Sequence, residues 1–227
     1  MLEALKVRAG ARACQFLTSA VRVFLNLRDL SLCLATPCSS SLLDCAALGQ
    51  LSWLQSLTAS GWDRVVLRGD TLLPALTSLQ LWRLRLLEVD ALLPSLKDLV
   101  VECVDAVQLA GGRLQLPRLT AMALDEISNK LRVSWAAMPQ LQKLSLHGTC
   151  GFEVDTSGLA GLTHLTSLGV YYTSLESTQF SREPADSVVA AAPHTVRELA
   201  LRGERLIWEQ PPPLQGQPGL DSLLCHV

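Results

Sequence analysis

The chain has 227 residues, of which 49% are hydrophobic and 18% are charged, which is enough apolar material for one large or continuous stacked core. A disordered chain is therefore excluded. Its 19 Lys and Arg residues are balanced by 21 Asp and Glu residues, so no general attraction to nucleic-acid phosphates or to anionic membranes exists, and we expect no nucleic-acid partner.

The first 24 residues are basic and amphipathic. They interleave Ala, Leu, Val and Phe with one acidic and four basic side chains, which are Glu3, Lys6, Arg8, Arg12 and Arg22. This composition predicts an N-terminal capping helix over residues 1–24. An organelle-targeting segment shares the composition and is the alternative.

The cysteines and the longest uncharged runs indicate where the protein works. The seven cysteines form no CxxC pair and no zinc-like spacing, so we expect no metal and no cofactor. Isolated cysteines without a glycosylation sequon favour a reducing, cytoplasmic location. The uncharged runs 45–62 and 156–175 are diluted by Ser, Thr and Gly, so we expect no membrane span.

From residue 25 to residue 227 the chain repeats the pattern LxxLxL. The copy "LPALTSLQL" starts at residue 73, and related copies start at 93, 116, 138 and 162. Successive copies mostly lie 20 to 24 residues apart, which predicts a solenoid of about nine stacked units. The first apolar residues of the units are Leu27, Leu54, Leu76, Leu96, Leu119, Leu141, Leu165, Val196 and Leu220.

Each unit predicts one short strand. Two apolar residues that are two apart, such as Leu79 and Leu81, point to one side of a strand, while Gln80 between them points to the other. A proline stands two residues before the first apolar residue in several units, where it ends the preceding segment before strand pairing begins. These prolines are Pro74, Pro94, Pro117, Pro139 and Pro218.

These repeats resemble the leucine-rich repeat family, most closely over "SGLAGLTHLTSLGVYYTSL" at 157–175. The resemblance implies an α/β fold: a horseshoe-shaped solenoid with a parallel β-sheet on the concave face and short helices or loops on the convex face. The family places Asn, Cys or Thr three residues after the last strand apolar residue, and here only Thr149 and Thr173 fit. We therefore expect most turns to satisfy their backbone groups by other means. The nonconforming positions are Ala35, Trp62, Leu84, Val104, Ile127 and Glu204.

Two further segments depart from the repeat. The longest interval holds a polar insertion at 176–192, which predicts a loop or a short helix. The last predicted strand lies directly before Val227 without a polar cap, so we expect edge-to-edge contact through this strand or a longer parent sequence.

One residue in each unit, directly after the last strand apolar residue, forms a predicted column on the concave face. Six of its members mix aromatic, charged and histidine side chains, which suits a protein partner whose identity the sequence does not give. These candidate partner-binding residues are Trp82, Glu102, Asp125, His147, Tyr171 and Arg202. The adjacent column is almost entirely small, so a partner could approach the sheet closely.

The resulting interpretation is a non-catalytic interaction scaffold or adaptor. The resemblance implies the cytoplasm, with the cytoskeleton or a ciliary axoneme as alternatives. A second hypothesis makes the solenoid the substrate-recognition part of a ubiquitin-ligase adaptor, which requires an F-box-like helical segment before Leu27. A third hypothesis is a metal-dependent enzyme that uses Glu102, Asp125 and His147 on adjacent strands, although no catalytic motif is present.

Overall fold

The computed structural model describes residues 2–9, 25–35, 40–69, 73–148, 153–172, 183–203 and 222–226. This part of the chain contains thirteen strands and little helix. The strands are β1 Ala4–Ala9, β2 Asp29–Leu34, β3 Leu42–Asp44, β4 Ser56–Ser60, β5 Arg64–Arg68, β6 Ser78–Asp90, β7 Asp98–Leu109, β8 Ala121–Val133, β9 Lys143–Gly148, β10 Glu153–Val154, β11 Ser167–Tyr172, β12 Glu198–Gly203 and β13 Ser222–His226. The helical segments are α1 Glu183–Ala190 and the 3-10 turns Cys45–Leu48, Trp135–Ala137 and Leu159–Gly161.

Ten of these strands form a continuous parallel sheet, which we call the main sheet. Its order is β1-β2-β4-β6-β7-β8-β9-β11-β12-β13, in which β1 is followed by one strand from each of the nine units. In the units of β2 to β12, the apolar residues of the LxxLxL pattern lie opposite one another in register, as Leu79 and Leu99 do, and are buried in the core. The fold class predicted from the sequence, a repeat solenoid with a parallel sheet along one side, is confirmed.

The leucine-proline pairs form the turns that lead into the main sheet. The N–H of Leu76 donates to the carbonyl of Leu73 at 3.1 Å, and the N–H of Leu119 donates to the carbonyl of Leu116 at 3.2 Å. Proline therefore occupies the second position of a four-residue turn, where its fixed φ matches the turn geometry. The periodic prolines thus shape the turn as well as ending the preceding segment.

The N-terminal segment differs from its prediction. Residues 4–9 form the strand β1, parallel to β2, so the capping helix predicted over 1–24 is wrong for this stretch. The reason is the strict alternation of Leu5, Val7 and Ala9, which pack against the core, with Lys6 and Arg8. Residues 10–24 lie outside the described part of the chain.

A second parallel sheet covers another side of the core. Its order is β3-β5-β6-β7-β8-β10, because β6, β7 and β8 are long enough to run through both sheets. The chain changes direction at Arg83, Cys103 and Glu126, whose φ angles are 54°, 55° and 52°. The resemblance implied short helices or loops on this side, and strands replace them in the middle units because apolar residues alternate beyond each corner.

The residues directly after the corners explain how the turns do without the family's Asn, Cys or Thr. Leu84, Val104 and Ile127 are buried and lie opposite one another in register, so they continue the strand ladder through the corner. In the unit before them, buried Trp62 donates its indole N–H to the carbonyl of Leu32 at 3.2 Å. In these four units, the strand ladder or the Trp62 indole thus pairs with backbone groups in place of an Asn, Cys or Thr side chain.

Two more expectations concern single segments. The insertion predicted at 176–192 contains α1, and residues 176–182 lie outside the described residues. Within the described part of the chain, no helix is long and apolar enough to cross a membrane.

Candidate functional site

The column predicted from the sequence follows the strand register of the main sheet. Trp82 lies opposite Glu102, and Glu102 lies opposite Asp125. On the next strands, His147 lies opposite Tyr171. Between these two pairs the register of β8 with β9 is irregular beyond Leu124. We call the side of the main sheet that carries this column the column face, and the core leucines occupy the other side.

Arg202 continues the column beside Tyr171 in backbone register. Its side chain lies outside the described part of the chain. The remaining five candidate side chains are half-buried, because neighbouring strands supply a side chain on each flank.

Trp82 and Glu102 form the first pair of the site. The Nε1 atom of Trp82 is buried and has no hydrogen-bond partner among the described residues, although the side chain as a whole is half-exposed. A ligand at this position therefore meets the carbon surface of the indole and not its N–H. No described residue forms an ion pair or a hydrogen bond with the Glu102 side chain.

Asp125, His147 and Tyr171 form the second group. The Nδ1 atom of His147 contacts the Asp125 carboxylate as an ion pair when the ring is protonated. The His147 and Tyr171 rings meet edge to face, with centroids 6.2 Å apart and planes at 64°. The carboxylate and the tyrosine ring thus contact the histidine from the two neighbouring strands, which orients it on the column face.

Tyr171 lies back over the sheet because Gly169 leaves room for it. A Cβ atom at Gly169 would stand 2.7 Å from Cε2 of Tyr171 and 3.1 Å from its hydroxyl oxygen. No side chain other than hydrogen fits beneath the ring in this position. The glycine that the sequence places in the small column therefore determines where the tyrosine lies.

The small column forms the floor of a shallow depression of about 290 Å³. Val100, Ala123, Ser145 and Gly169 line it, and Tyr171 stands at its side. Asp98 and Lys143 lie at its other side, at positions that the column-based prediction omits. The sequence could have identified both, because each lies two residues before a member of the small column and so shares its side of the strand.

The three residues proposed for a metal enzyme do not come together as a ligand set. Asp125 and His147 contact each other, but no group of three His, Cys, Asp or Glu side chains among the described residues could hold a metal ion. The three residues do lie on adjacent strands. The contact between His147 and Asp125, however, occupies one nitrogen and one carboxylate that a metal would need.

A corner thiol lies next to the column face without belonging to it. Cys103 donates a hydrogen bond to Oε2 of Glu126 at 2.7 Å. Partial desolvation and this hydrogen bond, with the negative charges of Glu126 and Glu102, raise the pKa of the Cys103 thiol to about 11. The thiol is protonated at neutral pH, so it is a poor nucleophile and a poor metal ligand there.

Comparisons with known proteins add little to this geometry. No protein-family model matches the chain, and no curated protein matches it. Among solved structures, the chain is similar to an internalin (inlF) from Listeria monocytogenes strain 4b F2365, with 16% sequence identity and a TM-score of 0.37. The similarity covers 90% of this chain and 69% of that one.

Proposed function

We propose that the chain is a non-catalytic interaction scaffold of the leucine-rich repeat type and that it binds a protein partner on the column face. One observation carries the proposal: Trp82 lies opposite Glu102, and His147 lies opposite Tyr171, on the same side of the main sheet, beside a floor of small residues. Aromatic side chains in such a position are the usual anchors of protein interfaces.

The shape of the site supports a macromolecular partner over a small molecule. The depression of about 290 Å³ lies just below the range of about 300 to 1,000 Å³ that is typical of small-molecule sites, and it lies on the face of a sheet. A protein segment can cover several strands at once and contact every member of the column. The site therefore suits a partner that lies across the strands.

An affinity pull-down from native cell extract tests the proposal. The wild-type chain is compared with the double variant Trp82→Ala, Tyr171→Ala, and bound proteins are identified by mass spectrometry. We expect a set of proteins to be lost with the double variant, because both aromatic anchors are removed. Circular dichroism checks that the variant is folded.

A matched control removes exposed apolar side chains elsewhere. Trp53 is 61% exposed and Leu42 is 51% exposed, and neither lies on the column face. The double variant Trp53→Ala, Leu42→Ala should retain the proteins that the column variant loses. Identical protein sets from all three forms would contradict binding on the column face.

Two narrower expectations stay predictions. The strand β13 pairs with β12 on one side, and its other edge has no partner among the described strands, so edge-to-edge contact there is part of the proposal. The cytoplasmic location, with the cytoskeleton or a ciliary axoneme as alternatives, rests on the sequence.

A further inference from the structure

We propose that the column face recognises a lysine or arginine side chain of the partner and that this cation lies between Trp82 and Glu102. The inference rests on the proposed function, since it names the chemistry of the segment that the column face would bind. It does not follow from the exposed aromatic anchors, which would suit an apolar partner equally well.

The first argument is the charge of the central strands. The column-face positions of β6, β7 and β8 carry three carboxylates, Asp98, Glu102 and Asp125, and no basic side chain. Lys143 and His147 follow on β9, and His147 already pairs with Asp125. The part of the face around β7 is therefore negative and complements a positively charged partner.

The second argument is the state of Glu102. Among the described residues, no basic side chain pairs with its carboxylate and none donates a hydrogen bond to it, although it is half-buried. A partly desolvated carboxylate gains more from a cationic partner than a fully hydrated one does. Glu102 is thus the carboxylate on this face that a ligand cation would satisfy.

The third argument is the neighbour of Glu102. Trp82 lies directly opposite it in the strand register, so the two backbones are about 4.8 Å apart. The Trp82 N–H edge is buried, which leaves the carbon surface of the indole toward the ligand. A cation within about 6 Å of the ring centroid is attracted to the ring face, and the same cation can reach the adjacent carboxylate.

The fourth argument concerns the space around this pair. In the floor, Val100 of β7 lies between Gln80 of β6 and Ala123 of β8. On the β8 side the floor therefore carries only short side chains, and a ligand can approach Glu102 from that direction. A lysine or arginine can lay its aliphatic stem along this apolar floor while its charged group reaches Glu102. A bare metal ion would lack the third ligand that it needs.

A peptide selection tests the inference with the full chain. A phage-displayed library of random peptides of about twelve residues is panned against the immobilised wild-type protein. The enriched peptide of highest affinity is then synthesised and titrated against the wild type and against three variants. These are Glu102→Gln, Asp105→Asn and the double variant Trp82→Ala, Tyr171→Ala.

The Asp105→Asn variant is the matched control. Asp105 is exposed on the same strand, β7, but lies beyond the corner at Cys103. It therefore undergoes the same change of charge away from the column face. We expect enriched peptides to share a lysine or arginine, and Glu102→Gln to weaken binding about tenfold or more while Asp105→Asn leaves it unchanged. The affinity should also fall as salt is added.

Two other results separate the inference from the proposed function. Peptides that bind tenfold or more weakly to the aromatic double variant, but share no basic residue and bind Glu102→Gln normally, would overturn the cation inference and leave the binding face standing. Peptides whose affinity neither the double variant nor Glu102→Gln changes would overturn both.

Discussion

Replacing Gly169 with alanine should move the Tyr171 ring without unfolding the protein. The new Cβ atom would stand 2.7 Å from Cε2 of the ring, and ordinary contact begins at 3.4 Å, so the ring must move by about 0.7 Å. The atoms that must move belong to the end of a side chain on the column face and not to the backbone. We therefore expect the ring to swing away and not the strand to shift.

The stability change should be small because two effects oppose each other. Alanine in a strand is favoured over glycine by about 0.5 to 1 kcal/mol, since glycine loses more backbone freedom on folding. Displacing the ring weakens the edge-to-face contact with His147, which is worth about 0.5 to 1.5 kcal/mol. The free energy of unfolding should thus change by less than about 1 kcal/mol, as measured by chemical denaturation.

Nuclear magnetic resonance detects the ring directly. The chain has two tyrosines, Tyr171 and Tyr172, so tyrosine-labelled protein gives few ring signals, and a Tyr171→Phe variant assigns them. The contact between the Tyr171 and His147 rings should weaken in Gly169→Ala, which is seen as a smaller nuclear Overhauser effect between the rings and as shifted Tyr171 ring signals. It should persist in the control Gly161→Ala, where an added Cβ meets no atom within 4 Å. An unchanged ring contact in Gly169→Ala, or a loss of stability above about 2 kcal/mol, would refute the reasoning.

Two further predictions concern groups away from the column face. Trp62→Phe should lower the free energy of unfolding by about 1 to 2 kcal/mol, because one buried hydrogen bond and part of the ring volume are lost, and Trp62→Ala by about 3 to 5 kcal/mol; a Trp62→Phe variant as stable as the wild type in denaturant unfolding would contradict a role for the indole N–H. At pH 8, iodoacetamide should alkylate Cys103 at least about tenfold more slowly than an unperturbed thiol, because its raised pKa of about 11 leaves less thiolate. Glu126→Gln should speed this reaction, as followed by peptide mass spectrometry, and a native rate as fast as that of the unfolded chain would count against the raised pKa.

The spacing of the leucines was sufficient to predict the architecture of the main sheet. Because apolar residues two apart must share one side of a strand, the position of Leu79 and Leu81 also determines which residues face outward. The positions of the column from Trp82 to Tyr171 on the sheet therefore follow from the spacing, and the role of these residues in binding a partner stays a prediction. What the spacing leaves undetermined is the contact between neighbouring side chains, such as the pairing of His147 with Asp125.

The second sheet was missed although the sequence contains a signal for it. Pairs of apolar residues two apart recur beyond each corner, such as Val65 with Leu67 and Leu87 with Val89, and all are buried. The first member of the pair lies six residues after the last apolar residue of the main-sheet strand for Val65, Leu87 and Val107, and seven residues after it for Leu131. The prediction of helices or loops in these segments followed the family resemblance and did not use the alternation of apolar residues. The strand β1 was missed for a similar reason, because basic residues among apolar ones also fit an amphipathic helix.

The second sheet also affects the curvature of the solenoid. Packed helices stand about 8 to 10 Å apart, whereas paired strands stand about 4.8 Å apart. A repeat with a helix opposite its strand is therefore wedge-shaped, and a stack of such wedges bends. In the units of β6, β7 and β8 both sides are strands with the same spacing, so we expect the stack to advance equally on both sides and to bend little. A partner that lies across Trp82 and Glu102 would then meet a straight stretch, where one rigid, uncurved segment can touch consecutive units at constant intervals.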